Sequence, residues 1–123
     1  MSELDRCLED AESLDLTDLR AYALNSMGLI HQNLGDYAGA RNLLEECLVL
    51  KRRLGNPHSI CITLLNVGVN CYKLGEYESA FACYEEVLEL SEETDDQSMV
   101  PGALINLAVV HESSGSYSLA FRM

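Results

Sequence analysis

The stretch LLNVGVNCYKLGEYESAFACYEEVLEL, residues 64–90, decides the fold, because LNSMGLIHQNLGDYAGARNLLEECLVL, residues 24–50, carries the same pattern forty positions earlier. Leu24, Gly28, Leu34, Gly35, Tyr37, Ala40, Glu45, Glu46, Leu48 and Leu50 recur as Leu64, Gly68, Leu74, Gly75, Tyr77, Ala80, Glu85, Glu86, Leu88 and Leu90. The pattern starts a third time in Leu104, Asn106, Val109, Gly115, Tyr117, Ala120 and Phe121, which echo Leu64, Asn66, Val69, Gly75, Tyr77, Ala80 and Phe81. Self-similarity at a fixed period of this size marks an array of stacked supersecondary units, each burying its apolar face against its neighbours.

Within a period the apolar residues fall at helical spacing on both sides of a short glycine turn, which predicts a helical hairpin. Gly35, Gly75 and Gly115 stand where the first helix ends, since glycine accepts the left-handed closing conformation. Asp36, Glu76 and Ser116 follow at the start of the second helix, where an acceptor or negative charge meets free amides. Between periods, Gly55 closes a helix, Asn56 is placed to cap the next, and Pro57 fits its first position. Pro101 has a similar first-turn place before ALINLAVVHESS, and Lys51, Arg52 and Arg53 sit in a last turn, favourable to the helix dipole. The expected layout is an all-α single domain over 1–123, with hairpins over 17–54 and 56–93 and a partial one over 99–123. A lone second-type helix over 1–14 precedes them, because Leu4, Cys7 and Leu8 fall forty positions before Leu44, Cys47 and Leu48.

Composition agrees and excludes several function classes. The apolar fraction is 48% with two prolines and eight glycines, a helical rather than disordered or many-turned β balance. No apolar run approaches the roughly 20 residues of a membrane span, and the acidic start MSELDRCLEDAESLDL lacks the basic-then-apolar character of a signal peptide. Five cysteines at irregular spacing inside helical patterns point to reduced thiols, hence to the cytoplasm, with the nucleus also permitted. A formal charge of −12 repels nucleic acid and anionic membranes and would steer a basic partner.

Residues 65–80, LNVGVNCYKLGEYESA, resemble the helix A to helix B segment of a tetratricopeptide repeat, with Gly68 small at the helix crossing and Tyr77 and Ala80 between the helices. The resemblance is fullest over 24–50 and 64–90 and covers only the first helix and turn in the third copy. The 40-residue period exceeds the usual repeat of about 34, there is no tryptophan, and Ala108 stands in place of a crossing glycine. In length the repeats are similar to those of kinesin light chains and of G-protein-signalling-modulator scaffolds. The resemblance implies a right-handed superhelical solenoid that begins and ends in half-hairpins and acts as a protein-interaction module or scaffold without cofactor. Its concave face, lined by the first helices, implies a peptide groove of Tyr22, Asn25, Ser26, Leu29 and Asn33, then Ile62, Leu65, Asn66, Val69, Tyr72 and Lys73, then Ile105, Asn106, Val109 and Glu112.

In that groove Asn66 and Asn106 form a ladder. An amide both donates to and accepts from an extended backbone, so the ladder suits a protein or peptide partner; the alternative is that these asparagines bond to neighbouring helices. Docking of an acidic tail would need several cations, and only Lys73 is at hand. Cys61, Cys71, Cys83 and His58 lack metal-ligand spacing, and no nucleophilic elbow, phosphate loop or convergent carboxylate pair is present, so neither a metal site nor an enzyme is expected. The half-hairpins leave two readings open: a segment of a longer array, or ends that pair head-to-tail or by swapping, through Leu4, Leu8, Tyr117, Ala120 and Phe121.

Overall fold

A computed structural model describes the backbone of residues 3–114 and the side chains of residues 16–114. Among these residues there are five helices: α1 (Glu3–Asn33), α2 (Tyr37–Leu54), α3 (Pro57–Lys73), α4 (Tyr77–Thr94) and α5 (Val100–Ser114). Each helix packs on the next in chain order, and α3 also touches α5, which is the neighbour-on-neighbour contact scheme of a solenoid.

The corners form where the local chemistry asks for them. Gly35 and Gly75 take φ of 85° and 79°, closing α1 and α3 in the left-handed region. Asp36 then caps α2, its Oδ1 accepting from the Gly39 amide at 3.0 Å. Asn56 caps α3 by accepting from Ser59 N at 3.2 Å, with Pro57 in the first turn. Glu76 stands at the start of α4 but makes no capping bond; its carboxylate instead takes Arg41 of α2. Asp95 ends α4 in the left-handed region at φ 56°, where the sequence offers no glycine.

The N-terminal third departs from the expected division into a helix over 1–14 and a hairpin from 17. One helix, α1, runs unbroken from Glu3 to Asn33. The reason is local: the α2–α3 corner is built by Gly55, Asn56 and Pro57, whereas the positions one period earlier are Asp15, Leu16 and Thr17. They offer no glycine to reverse the chain and no proline to end a helix, so the helical hydrogen-bond ladder continues through them.

The core is a continuous spine. Leu44 of α2, Ile60, Leu64, Val67 and Cys71 of α3, Phe81, Tyr84 and Val87 of α4, and Ala103 and Val110 of α5 form one buried cluster. Ala21, Cys47 and Leu50 form a smaller one between α1 and α2, where the Cys47 thiol donates to the Ala21 carbonyl at 3.3 Å. The two crossing glycines set the helix spacing. A Cβ at Gly28 would lie 2.8 Å from Leu44 Cγ, and one at Gly68 would lie 2.5 Å from Tyr84 Cε1. Leu44 and Tyr84 occupy the same place in successive repeats, so the close approach is itself repeated.

On the outer surface, Arg41 grips Glu76 and Arg52 grips Glu86 through two bonds of 2.6 and 2.9 Å. Both pairs tie α2 to the following hairpin.

Candidate protein-binding groove

The first helices of the hairpins, namely the C-terminal half of α1, then α3 and α5, are held side by side by two polar bridges. Asn70 Nδ2 donates to Gln32 Oε1 at 2.9 Å, linking α3 to α1. Tyr72 Oη meets Ser113 Oγ at 2.7 Å, linking α3 to α5. Leu65 packs on the core beside Gly102, whose added Cβ would meet it at 3.9 Å. These contacts place the expected groove positions of α3 and α5 on neighbouring helices.

Individual positions differ in availability. On α1, Asn25, Ser26 and Leu29 are half-buried while Tyr22 and Asn33 are exposed. On α3, Leu65, Asn66, Val69 and Tyr72 are half-buried, and Ile62 and Lys73 exposed. On α5, Asn106 is half-buried, with Ile105, Val109 and Glu112 exposed. Tyr72 is partly committed to the scaffold: besides Ser113, its ring lies 5.9 Å from that of Tyr77 and 5.9 Å beneath Lys73 Nζ. Among the expected self-association residues, Tyr117, Ala120 and Phe121 lie outside the described residues, as do the side chains of Leu4 and Leu8.

The interhelical amide contact exists, but it is made by Asn70 rather than by the ladder. Asn70 is fully buried, bonding Gln32 and the Asn66 carbonyl, and its Oδ1 accepts nothing from the described residues. No side-chain hydrogen bond of Asn66 or Asn106 is made among the described residues, which leaves both amides facing solvent in half-buried settings. The signal that could have found Asn70 was present in the sequence: its repeat counterparts are Ile30 and Val110, so a lone amide occupies an apolar position.

The remaining chemistry is quiet. His31 Nδ1 bonds Asp36 at 2.8 Å, and its counterpart His111 packs edge-on against Phe81 at 4.9 Å. The Asp36 backbone bond from Gly39 and its His31 contact hold its carboxyl below the ordinary range; Ser98 and His58 do the same to Asp96. Burial pushes the Cys71 thiol up to about 11 and the Cys83 thiol to about 12, the reverse of an activated nucleophile. No group of side chains suited to a metal is found among the described residues. Acidic density gathers off the groove, where Glu85, Glu86, Glu89 and Glu93 border a recess on α4. A larger recess of about 540 Å³ lies between the middle of α1 and the C-terminal end of α2, lined by Leu16, Thr17, Leu19, Arg20, Leu50 and Arg53.

Stacked antiparallel hairpins with a polar-bridged first-helix face and an inert set of titratable groups define a helical-repeat interaction protein. Its family follows from comparison: the model for the tetratricopeptide repeat matches residues 19–93 and again 59–123, so the chain belongs to the tetratricopeptide repeat family. No curated protein matches the chain. Repeats of this family mediate protein–protein interaction or scaffolding, which is the general role of this one. None of the helices among the described residues is long and apolar enough to cross a membrane.

Proposed function

We propose that the first-helix face binds an extended or helical segment of a protein partner, with Asn66 and Asn106 reading its backbone and Leu65, Val69, Ile105 and Val109 taking apolar side chains. The observation that carries this reading is the division of labour among the amides. The contact that stacks α1 on α3 is made by Asn70 and Gln32, so neither ladder asparagine is needed for stacking. Each remains a donor and acceptor beside apolar side chains, the combination that gives affinity for a peptide backbone without demanding one sequence. Net charge of −12 favours a basic partner, through association rate more than through final affinity.

The test is Asn66→Ala with Asn106→Ala, read by capture of binding partners and by thermal melting. Each lost hydrogen bond to a ligand backbone is worth about 1 kcal/mol. The double variant should therefore weaken a partner about thirtyfold while moving the melting temperature little. Undiminished binding by a folded double variant would refute the groove.

A further inference from the structure

The interior holds an amide that stability does not call for. Asn70, near the C-terminal end of α3, is fully buried. Its Nδ2 group uses both protons, one on Gln32 Oε1 of α1 and one on the Asn66 carbonyl, each at 2.9 Å. Its Oδ1 accepts from none of the described residues. Turning the amide over would set that oxygen against the Asn66 carbonyl, so its own helix fixes the orientation. One period later Val110 occupies the same place, 1% exposed, within the spine. The fold therefore accepts an apolar side chain at this position. A buried acceptor left without a donor costs more than one neutral hydrogen bond returns.

The amide joins two helices that do not otherwise hold each other. α2 packs on both α1 and α3, and α3 touches α5, but α1 and α3 share no comparable packing of their own. Both nevertheless carry groove positions, Asn25, Ser26 and Leu29 on α1 and Leu65, Asn66 and Val69 on α3. The Asn70 bond to Gln32 crosses between them, and its bond to the Asn66 carbonyl ties that crossing to the turn that bears a groove amide. The next joint is built differently. Between α3 and α5 the interior position is Val110, and the polar clasp of Tyr72 with Ser113 lies at the exposed rim, where water can replace it. Between α1 and α3 the clasp is made by a buried amide, where a hydrogen bond is stronger and a misplaced one is penalised.

We propose that Asn70 is a specificity-determining residue of the groove. It fixes the angle and spacing of α1 against α3, at a cost in stability, so that a segment lying across both helices meets one arrangement of side chains. That purpose rests on the groove being a binding face; the fixing of the two helices does not. The physical reason is that a slipped or rotated α1 would leave a second polar group of Asn70 buried and unpaired, whereas a valine there would tolerate many packings. A buried polar side chain that sets register in a coiled coil acts in the same way.

The test is Asn70→Val in the full chain, which installs the side chain of the next repeat. The melting temperature should rise by about 4 °C, since the stranded acceptor is gone and the half-buried Gln32 can turn its amide to water. Residual dipolar couplings of the backbone amides, measured in a weakly aligned sample, report how the helices are oriented. In the parent one alignment should fit α1, α3 and α5 together. In Asn70→Val, α1 should drop out of the common fit while α3 and α5 keep theirs. Gln32→Ala strands an Asn70 proton instead, so it should lower the melting temperature and yet lose the same fit. Opposite shifts in stability with one structural outcome separate positioning from stabilisation. Asn66→Ala with Asn106→Ala should leave the common fit intact, so failure of the groove and failure of the bridge are distinguishable. An Asn70→Val protein that keeps all three helices in one fit would overturn the proposal. So would a fall in its melting temperature, which would make the amide a plain stabiliser.

Discussion

Gly68→Ala is expected to destabilise the protein although alanine is the better helix former. The added Cβ would sit 2.5 Å from Tyr84 Cε1, 2.7 Å from Cζ and 3.0 Å from the hydroxyl oxygen. Ordinary carbon contacts lie at about 3.5–4.0 Å, so the ring must retreat by roughly 1 Å. It has nowhere to go, being 1% exposed and packed in the central cluster. Overpacking of this kind costs about 1–3 kcal/mol, and a rigid ring belongs at the upper end. Replacing glycine inside a helix returns about 1 kcal/mol, leaving a net loss of about 2 kcal/mol. For a chain of this size that is a fall of roughly 8 °C in melting temperature. Gly28→Ala is the internal control: its Cβ meets the branched end of Leu44 at 2.8 and 3.0 Å, and a flexible side chain yields more easily. Its net effect should be within about 1 kcal/mol of zero. Tyr84→Leu recreates the first-repeat pairing at position 68, so the double variant should show favourable coupling of about 1 kcal/mol. Thermal and urea unfolding followed by circular dichroism measure all four proteins. A Gly68→Ala variant as stable as the parent, or strict additivity in the cycle, would refute the claim that crossing glycines set the helix spacing.

Two further outcomes follow from the titratable groups. Asp36 and Asp96 are held below their ordinary value of 3.8, so the stability they lend is present above that pH and is lost as pH falls through their lower folded values. Asp36→Asn and Asp96→Asn should each reduce stability at neutral pH and flatten the acid limb of an unfolding curve. The thiols have the opposite sign: Cys71 and Cys83 are raised above 9.0 in the folded chain, so they favour folding below that pH and weaken it above, where the unfolded chain ionises first. A thiol-specific reagent at pH 8 should modify Cys71 and Cys83 far more slowly in the native protein than in urea. Rapid native labelling of Cys71 would contradict its burial.

How far the sequence could be read depended on whether each feature was local and repeated. Gly35, Gly75, Asn56 and Pro57 act on their own neighbours, so the ends of α2 and α3 were legible from residue type alone. The spine was legible because Leu44 and Leu64 recur in helical phase with other apolar residues. Asp95 was not, since a left-handed aspartate carries no signal that distinguishes it from any acidic loop residue. The site divided in the same way. The family resemblance, carried over by repeat position, pointed to the first-helix face and to Asn66 and Asn106, but the amide that bridges helices is Asn70, whose partner Gln32 is replaced one period later by Tyr72. Where Gln32 and Asn70 meet, the next pair of helices is joined by Tyr72 and Ser113. A bridge whose second position shifts from one repeat to the next, Asn70 in one and Ser113 in the other, depends on three-dimensional neighbours that periodicity cannot name.

The unbroken α1 carries this distinction furthest. Two kinds of information are superposed along the chain: the apolar spacing, which says what a helix face will accept, and the corner residues, which say whether the chain can turn to present it. From residue 17 onward the two agree, and hairpins result. Before residue 17 they conflict, because residues 3–14 keep the pattern of a second helix while Asp15, Leu16 and Thr17 lack the chemistry of Gly55, Asn56 and Pro57. A helix propagates wherever nothing stops it, each added residue gaining a backbone bond for one more pair of fixed dihedrals. The corner therefore loses to propagation, and the face prepared by the pattern is left bare at Met27, Ile30 and Leu34. Placing glycine, asparagine and proline at positions 15 to 17 would remove the conflict and allow the arm to fold onto its own chain.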